Sequence, residues 1–288
     1  MIEDGSPLPA GSVSLMGLAF DEFSSHLRGS AAAPDAIRKV LHDGSMNMCT
    51  ENGINLAGCE YFQDLGNLPL TSGRAVLDEI TRGVSDLLDR GERPLLLGGD
   101  HAITYPVLRA YRNRFPKLTL LHFDAHPDLY ETYDGNPYSH ACPFARIMED
   151  RLIDRLVQVG IRTVNKHQRE QINRFGVEVI EMRDWQPGRT VTLDSPVYIS
   201  LDMDALDPAF APGVSHHEPG GLSTREVLHI LQHLNTPIVG ADIVEVNPSR
   251  DIMDMTARVA GKFLVEIAGL MLAQTHPESR FLVGVLRR

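Results

Sequence analysis

The chain has 288 residues, 43% of them hydrophobic, and a formal net charge of −11. That length and apolar content support one sizeable core, and a single domain spanning 1–288 is expected. An acidic chain without a basic run argues against a nucleic-acid partner. No apolar run reaches the roughly 18 residues that a membrane span needs.

The first dozen residues read as a loose arm. A first strand is expected from Val13 to Phe20, then a polar loop, then a helix over Ala31 to His42 with Pro34 near its start. Tyr61 to Leu65 reads as a short strand. Val76, Leu77, Ile80, Val84, Leu87 and Leu88 recur at helical spacing after Thr71-Ser72. A strand at Pro94 to Leu97 leads through Gly98-Gly99-Asp100-His101 into a helix ending about Phe115. Leu118 to Phe123 is a further apolar run, followed by a loop over Leu129 to Ser139 and a short helix from Pro143. Arg155 to Ile161 reads as a strand, Gln168 to Phe175 as a helix, Val177 to Ile180 and Val197 to Leu201 as strands. Ser223 and Glu226 form a capping box for a helix to Leu234. Pro237 to Ala241 is a strand ending in Asp242, with Glu245 just beyond, and Met255 to Ala273 is a long helix. Strands alternating with helices imply a three-layer α/β/α sandwich on a mostly parallel sheet.

Three of these strands finish in metal-type ligands. Leu118–Phe123 runs into Asp124, His126 and Asp128, which share one face if the backbone stays extended. Val197–Leu201 ends in Asp202 and Asp204, and Pro94–Leu97 leads to His101. Buried carboxylates are costly without a compensating cation, and ligands gather at the carboxyl ends of parallel strands. Four carboxylates and two imidazoles exceed the needs of one ion, so two metals sharing bridging carboxylates are expected. A mixed N/O set suits Mn, Fe, Ni or Zn. His122, inside the apolar run, reads as a satisfied core histidine.

GGDH, DAHPD, SLDMDALDPAFAPG and GADIVEVNP follow one another in order. Together they resemble the ureohydrolase family, the binuclear manganese enzymes that include arginase and agmatinase. NPYSHACPFARIMED and GVSHHEPGGLS make the chain most like plant-type arginases within it. The resemblance implies an arginase-like fold, assembly as a homotrimer or homohexamer, and two Mn2+ per subunit, with Ni2+ or Co2+ possible on the same ligands. It implies metal ligation by His101, Asp124, His126, Asp128, Asp202 and Asp204, with Asp124 and Asp202 bridging. Hydroxide between the ions would attack a guanidinium carbon, most simply that of L-arginine, giving urea and L-ornithine; agmatine, or a guanidino acid other than arginine, is the alternative substrate. Catalytic parts fall to Asp128, to Glu245 as guanidinium ligand, and to His140 as proton carrier. Asn136, Ser139, Asn165 and His216 are the expected contacts to the substrate tail, and Gln168 stands with Asn165 where animal arginases carry acids. Three scattered cysteines and a start (MIEDGSPLPAG) without an apolar signal core point to the cytoplasm.

Overall fold

Eight strands build one sheet in the computed structural model, which describes residues 8–279. They are β1 (Val13–Leu18), β2 (Phe62–Asn67), β3 (Arg93–Gly98), β4 (Thr119–Phe123), β5 (Arg155–Ile161), β6 (Glu178–Glu181), β7 (Val197–Asp202) and β8 (Ile238–Val244). Every pairing is parallel, in the order β2-β1-β3-β8-β7-β4-β5-β6. The connecting helices are α1 (Ala33–His42), α2 (Ala75–Asp89), α3 (Thr104–Tyr111), α4 (Pro143–Glu149), α5 (Lys166–Phe175), α6 (Thr224–Gln232) and α7 (Met255–Thr275). The expected capping box is present on α6, with Ser223 and Glu226 satisfying each other's backbone.

Alternation along the strands sorts the core into two layers. Leu95, Leu97, Leu121, Phe123, Val197, Ile199 and Leu201 pack with α1, α6 and α7. Leu96, Leu120 and Tyr198 pack with α2, α3, α4 and α5 on the other face. Both faces being covered explains why the strands read as continuous apolar runs.

The sequence expectations differ from the structure mainly at ends. β8 continues through Asp242 to Val244, so Asp242 lies within the strand and Glu245 caps it. Of the expected N-terminal arm, residues 1–7 lie outside those described. Gly11 is fixed, its N–H donating to the Gly91 carbonyl at 2.8 Å, and Ser12 is buried, its carbonyl accepting from Arg93 N–H. No described helix is long and apolar enough to cross a membrane.

The decisive feature is strand order. β7 and β8, late in the chain, insert between β3 and β4, so the carboxyl ends of β3, β8, β7 and β4 are neighbours. Gly99 allows the turn leaving β3: a Cβ there would lie 1.9 Å from the Phe20 carbonyl oxygen. That oxygen accepts from Asp100 N–H at 2.9 Å, which ties the β1 loop over the site.

Candidate metal centre

Three strand ends, those of β3, β4 and β7, bring all six expected ligands together. The two acids and the imidazole after β4 do not arrive by strand alternation, which is what an extended backbone predicts. β4 stops at Phe123, and Asp128 adopts the left-handed region at φ 50°. Glu245 after β8 does the same at φ 64°. Each such backbone costs about 1–2 kcal/mol for a residue with a Cβ. Hydrogen bonds hold both: Glu245 N–H to Gly99 O at 2.8 Å, and Phe144 N–H to Asp128 O at 3.2 Å.

The ligands form two groups joined by one carboxylate. His101 Nδ1 lies 3.2 Å from Asp124 Oδ2, 3.3 Å from Asp128 Oδ2 and 3.1 Å from Asp202 Oδ2. His126 Nδ1 lies 3.2 Å from Asp124 Oδ1 and 3.1 Å from Asp204 Oδ2. Asp124 thus turns one oxygen to each imidazole. Asp202, expected to bridge as well, turns only Oδ2 to the His101 group, its Oδ1 accepting Asp204 N–H at 2.7 Å.

Hydrogen-bond chemistry fixes which nitrogen of His101 is free. Tyr198 and Thr104 hydroxyls donate to Asp242 Oδ2, and the Ser200 hydroxyl donates to Asp242 Oδ1 at 2.7 Å. With its single proton spent, Ser200 Oγ must accept from His101 Nε2–H, 2.9 Å away. In the neutral ring His101 Nδ1 then carries the lone pair; this atom is buried and has no hydrogen bond, although three carboxylate oxygens surround it. Four acceptors converging on one space fit a cation. Burial, then Asp204 and Asp124, hold the Asp202 carboxyl well above the usual carboxylate range. Burial and Asp124 also lift Asp128. These acids cannot all ionise together without positive charge among them, so the residues present fit a two-cation site.

His122 falls within 4.8 Å of His101 and Asp124 as a further donor. It is not a ligand. Gln158 Nε2, which only donates, meets His122 Nδ1 at 3.0 Å, so the ring proton is on Nε2 and goes to Asp124 Oδ2 at 2.8 Å. His122 is a satisfied core histidine, as the sequence predicts, and it orients Asp124. Asp242, Ser200 and Gln158 do similar work. Ser200 sits two residues before Asp202 on the same strand face, a spacing that was there to be read.

Four of the ligands, His126, Asp128, Asp202 and Asp204, floor a cavity of about 420 Å³ that Ser25, Tyr130, Tyr133, Asn165, His216 and Glu245 help to line. Asn165 and Gln168 reach the cavity wall. Asn165 N-caps α5, its side-chain oxygen accepting Gln168 N–H, while its amide donates to the Tyr130 hydroxyl. His216 faces the cavity with its ring 5.5 Å from that of His140, whereas His217 bonds the Pro212 carbonyl instead. Asn136 and Ser139 are not among the lining residues. Asn136 Oδ1 accepts Tyr138 N–H in a turn, and Ser139 Oγ turns to Phe23 O. The loop after Asp128 folds back on itself there, so these two residues brace it.

His140 and Glu245 form a buried pair, Nδ1 to Oε1 at 2.8 Å, and the same Oε1 accepts His101 N–H at 2.9 Å. Burial pulls the His140 imidazole down, but the Glu245 carboxylate, their hydrogen bond and Asp100 outweigh it and raise it to about 9. Burial opposes ionisation of Glu245, yet His140 holds it below its ordinary value. A raised imidazole stabilises the fold fully below its ordinary 6.5 and loses that contribution as pH rises through about 9. The metal-free protein is therefore expected to lose stability across that window, and Glu245→Gln to flatten the loss. Chemical melts of both proteins at several pH values check this, and equal slopes contradict the pairing.

A parallel α/β sheet gathers imidazoles and carboxylates at its central strand ends, and the family match makes the protein a metal-dependent hydrolase. The chain belongs to the arginase family, whose model matches residues 11–269. It is 47% identical over 274 residues to "Arginase 1, mitochondrial" of Arabidopsis thaliana, covering 89% of this chain and 80% of that protein. Its similarity to an agmatinase of Bacillus anthracis is lower, 36% over 266 residues, covering 88% and 90%. The structure of an arginase from Medicago truncatula superposes with a TM-score of 0.84 at 43% identity, covering 90% of this chain and 87% of that one. The cytoplasmic expectation does not stand, because the plant relatives are named mitochondrial or chloroplastic/mitochondrial. Three free cysteines (Cys49, Cys59, Cys142) tell only that no disulfide framework is present among them, which does not distinguish one reducing compartment from another.

Proposed function

We propose that this protein hydrolyses L-arginine to L-ornithine and urea. The observation that carries the reading is the pair of ligand groups sharing Asp124, with Glu245 and His140 on the same cavity. Bound divalent cations supply a nucleophile by lowering the pKa of a water. The chain's own residues do the rest. Glu245 takes the guanidinium, whose planar fork of N–H donors matches a carboxylate. His140, on the Glu245 side of the cavity, passes a ring proton to the leaving nitrogen as the bond to the guanidinium carbon breaks. His101, Asp124, Asp128 and Asp202 would hold one ion, and His126, Asp124 and Asp204 the other. The family resemblance supports manganese, with nickel or cobalt suiting the same ligands, and assembly as a homotrimer or homohexamer.

A second reading, agmatine as substrate, has one observation in its favour. Among the described residues no Lys or Arg lines the cavity to meet an α-carboxylate. Urea release from arginine, agmatine and other guanidino acids, measured side by side, separates the two. A kcat/KM for arginine at least about tenfold above that for agmatine is expected, a difference of roughly 1.4 kcal/mol in transition-state binding. The reverse preference overturns the substrate assignment.

A further inference from the structure

We infer that Ser25 is a positioning residue for His140, the second clamp on its ring; the inference rests on the guanidino-hydrolase reading above. His140 has two nitrogens and two partners. Nδ1 is held by Glu245 at 2.8 Å, while Nε2 meets the Ser25 hydroxyl at 2.8 Å and receives the Ser25 backbone N–H at 3.1 Å.

The two clamps differ in how they behave during turnover. Glu245 must also bind the substrate's guanidinium, and its Oε1 already accepts His101 N–H. When substrate arrives, His140 shares Glu245 with a competing donor. Ser25 makes no other hydrogen bond among the described residues, so it becomes the fixed hold on the ring. Its two groups cover both protonation states of Nε2. The backbone N–H can only donate, which suits the bare nitrogen, and the hydroxyl rotates to accept when Nε2 carries a proton. The ring can therefore gain and give up a proton without losing its orientation.

Ser25 is itself held by contacts that reach the metal centre's own turn. Asp100, fully buried beside His101, accepts Phe23 N–H at 3.0 Å and the Ser24 hydroxyl at 3.3 Å through Oδ2. The Phe23 carbonyl accepts His140 N–H at 3.1 Å. Residues 23–25 thus link the β3 end to both the backbone and the ring of His140, 115 residues away in sequence. A polar serine in a Gly-bearing loop carries no sequence signal for this.

The test uses the metal-loaded enzyme and two substrates: arginine, and its analogue with an oxygen attached to the leaving nitrogen. That nitrogen is a much weaker base, so its departure depends less on a proton from His140. For Ser25→Ala, kcat on arginine is expected to fall about tenfold with KM within about twofold, the size of one lost hydrogen bond to an ionisable group. The loss is expected to shrink to about twofold or less on the analogue, because less proton transfer is at stake. Ser25→Thr, which keeps the hydroxyl, should retain most of the arginine rate. Ser25 is exposed at the cavity rim, so alanine there leaves the core intact. An unchanged kcat in Ser25→Ala, or equal losses on the two substrates, overturns the inference while leaving the arginine reading in place. A wild-type enzyme that releases no urea overturns both.

Discussion

Asp124→Ala is expected to bind less than one metal ion per chain and to lose urea release by on the order of 10³-fold or more, since water is no longer activated by paired cations. The reason is geometric. Asp124 is the one carboxylate here with an oxygen toward each ligand imidazole, Oδ2 to His101 and Oδ1 to His126. Removing it opens both sites, whereas removing Asp204 leaves the His101 group whole. A stability effect accompanies the loss of metal. In the wild type, each site filled at about 100 times its Kd adds about 2.7 kcal/mol to the folded state, so added Mn2+ should raise its melting temperature and leave the variant's unmoved. Without metal two effects oppose each other. The variant leaves the buried His122 Nε2–H unpaired, which costs about 1–3 kcal/mol. It also removes one acid from a crowd whose charges lift Asp202 and Asp128. The metal-free melting temperature should therefore change much less than the metal-loaded one. Asp202→Ala should act in the same direction through the His101 group. Full metal content and activity in Asp124→Ala would contradict the shared-carboxylate reading.

His140→Ala separates chemistry from metal binding. It should keep two ions per chain, because His140 contacts Glu245 and Ser25 and no ligand side chain within hydrogen-bond distance. Its kcat on arginine should fall by about 10²- to 10⁴-fold, the usual worth of a placed acid or base. Part of that rate should return with added imidazole, which fits the space left in a cavity of about 420 Å³. Elemental analysis and urea release on the same sample check both halves. Loss of metal with loss of rate would make His140 structural and remove it from the proton path.

Much of this centre was legible because the chemistry is written in residue types at strand ends. Leu118–Phe123 and Val197–Leu201 are apolar on both faces, so their ends were easy to place, and Asp, His, Asp and Asp, Asp followed directly. How the ligands converge was not legible. Asp128 and Glu245 reach the site through left-handed backbone conformations that propensity disfavours. The insertion of β7 and β8 between β3 and β4 is a long-range choice that no local pattern encodes. The supporting bonds, Ser200 to His101 and Gln158 to His122, join different strands and depend on that order. Asn136 and Ser139 failed as cavity contacts for a related reason, since loop composition does not say which way a turn folds.

Separate strand ends are expected to cage two cations through one shared carboxylate. Elemental analysis of purified, active protein tests it most directly. Two divalent ions per chain are expected, both lost in Asp124→Ala. A fully active protein carrying one ion, or none, would contradict the claim.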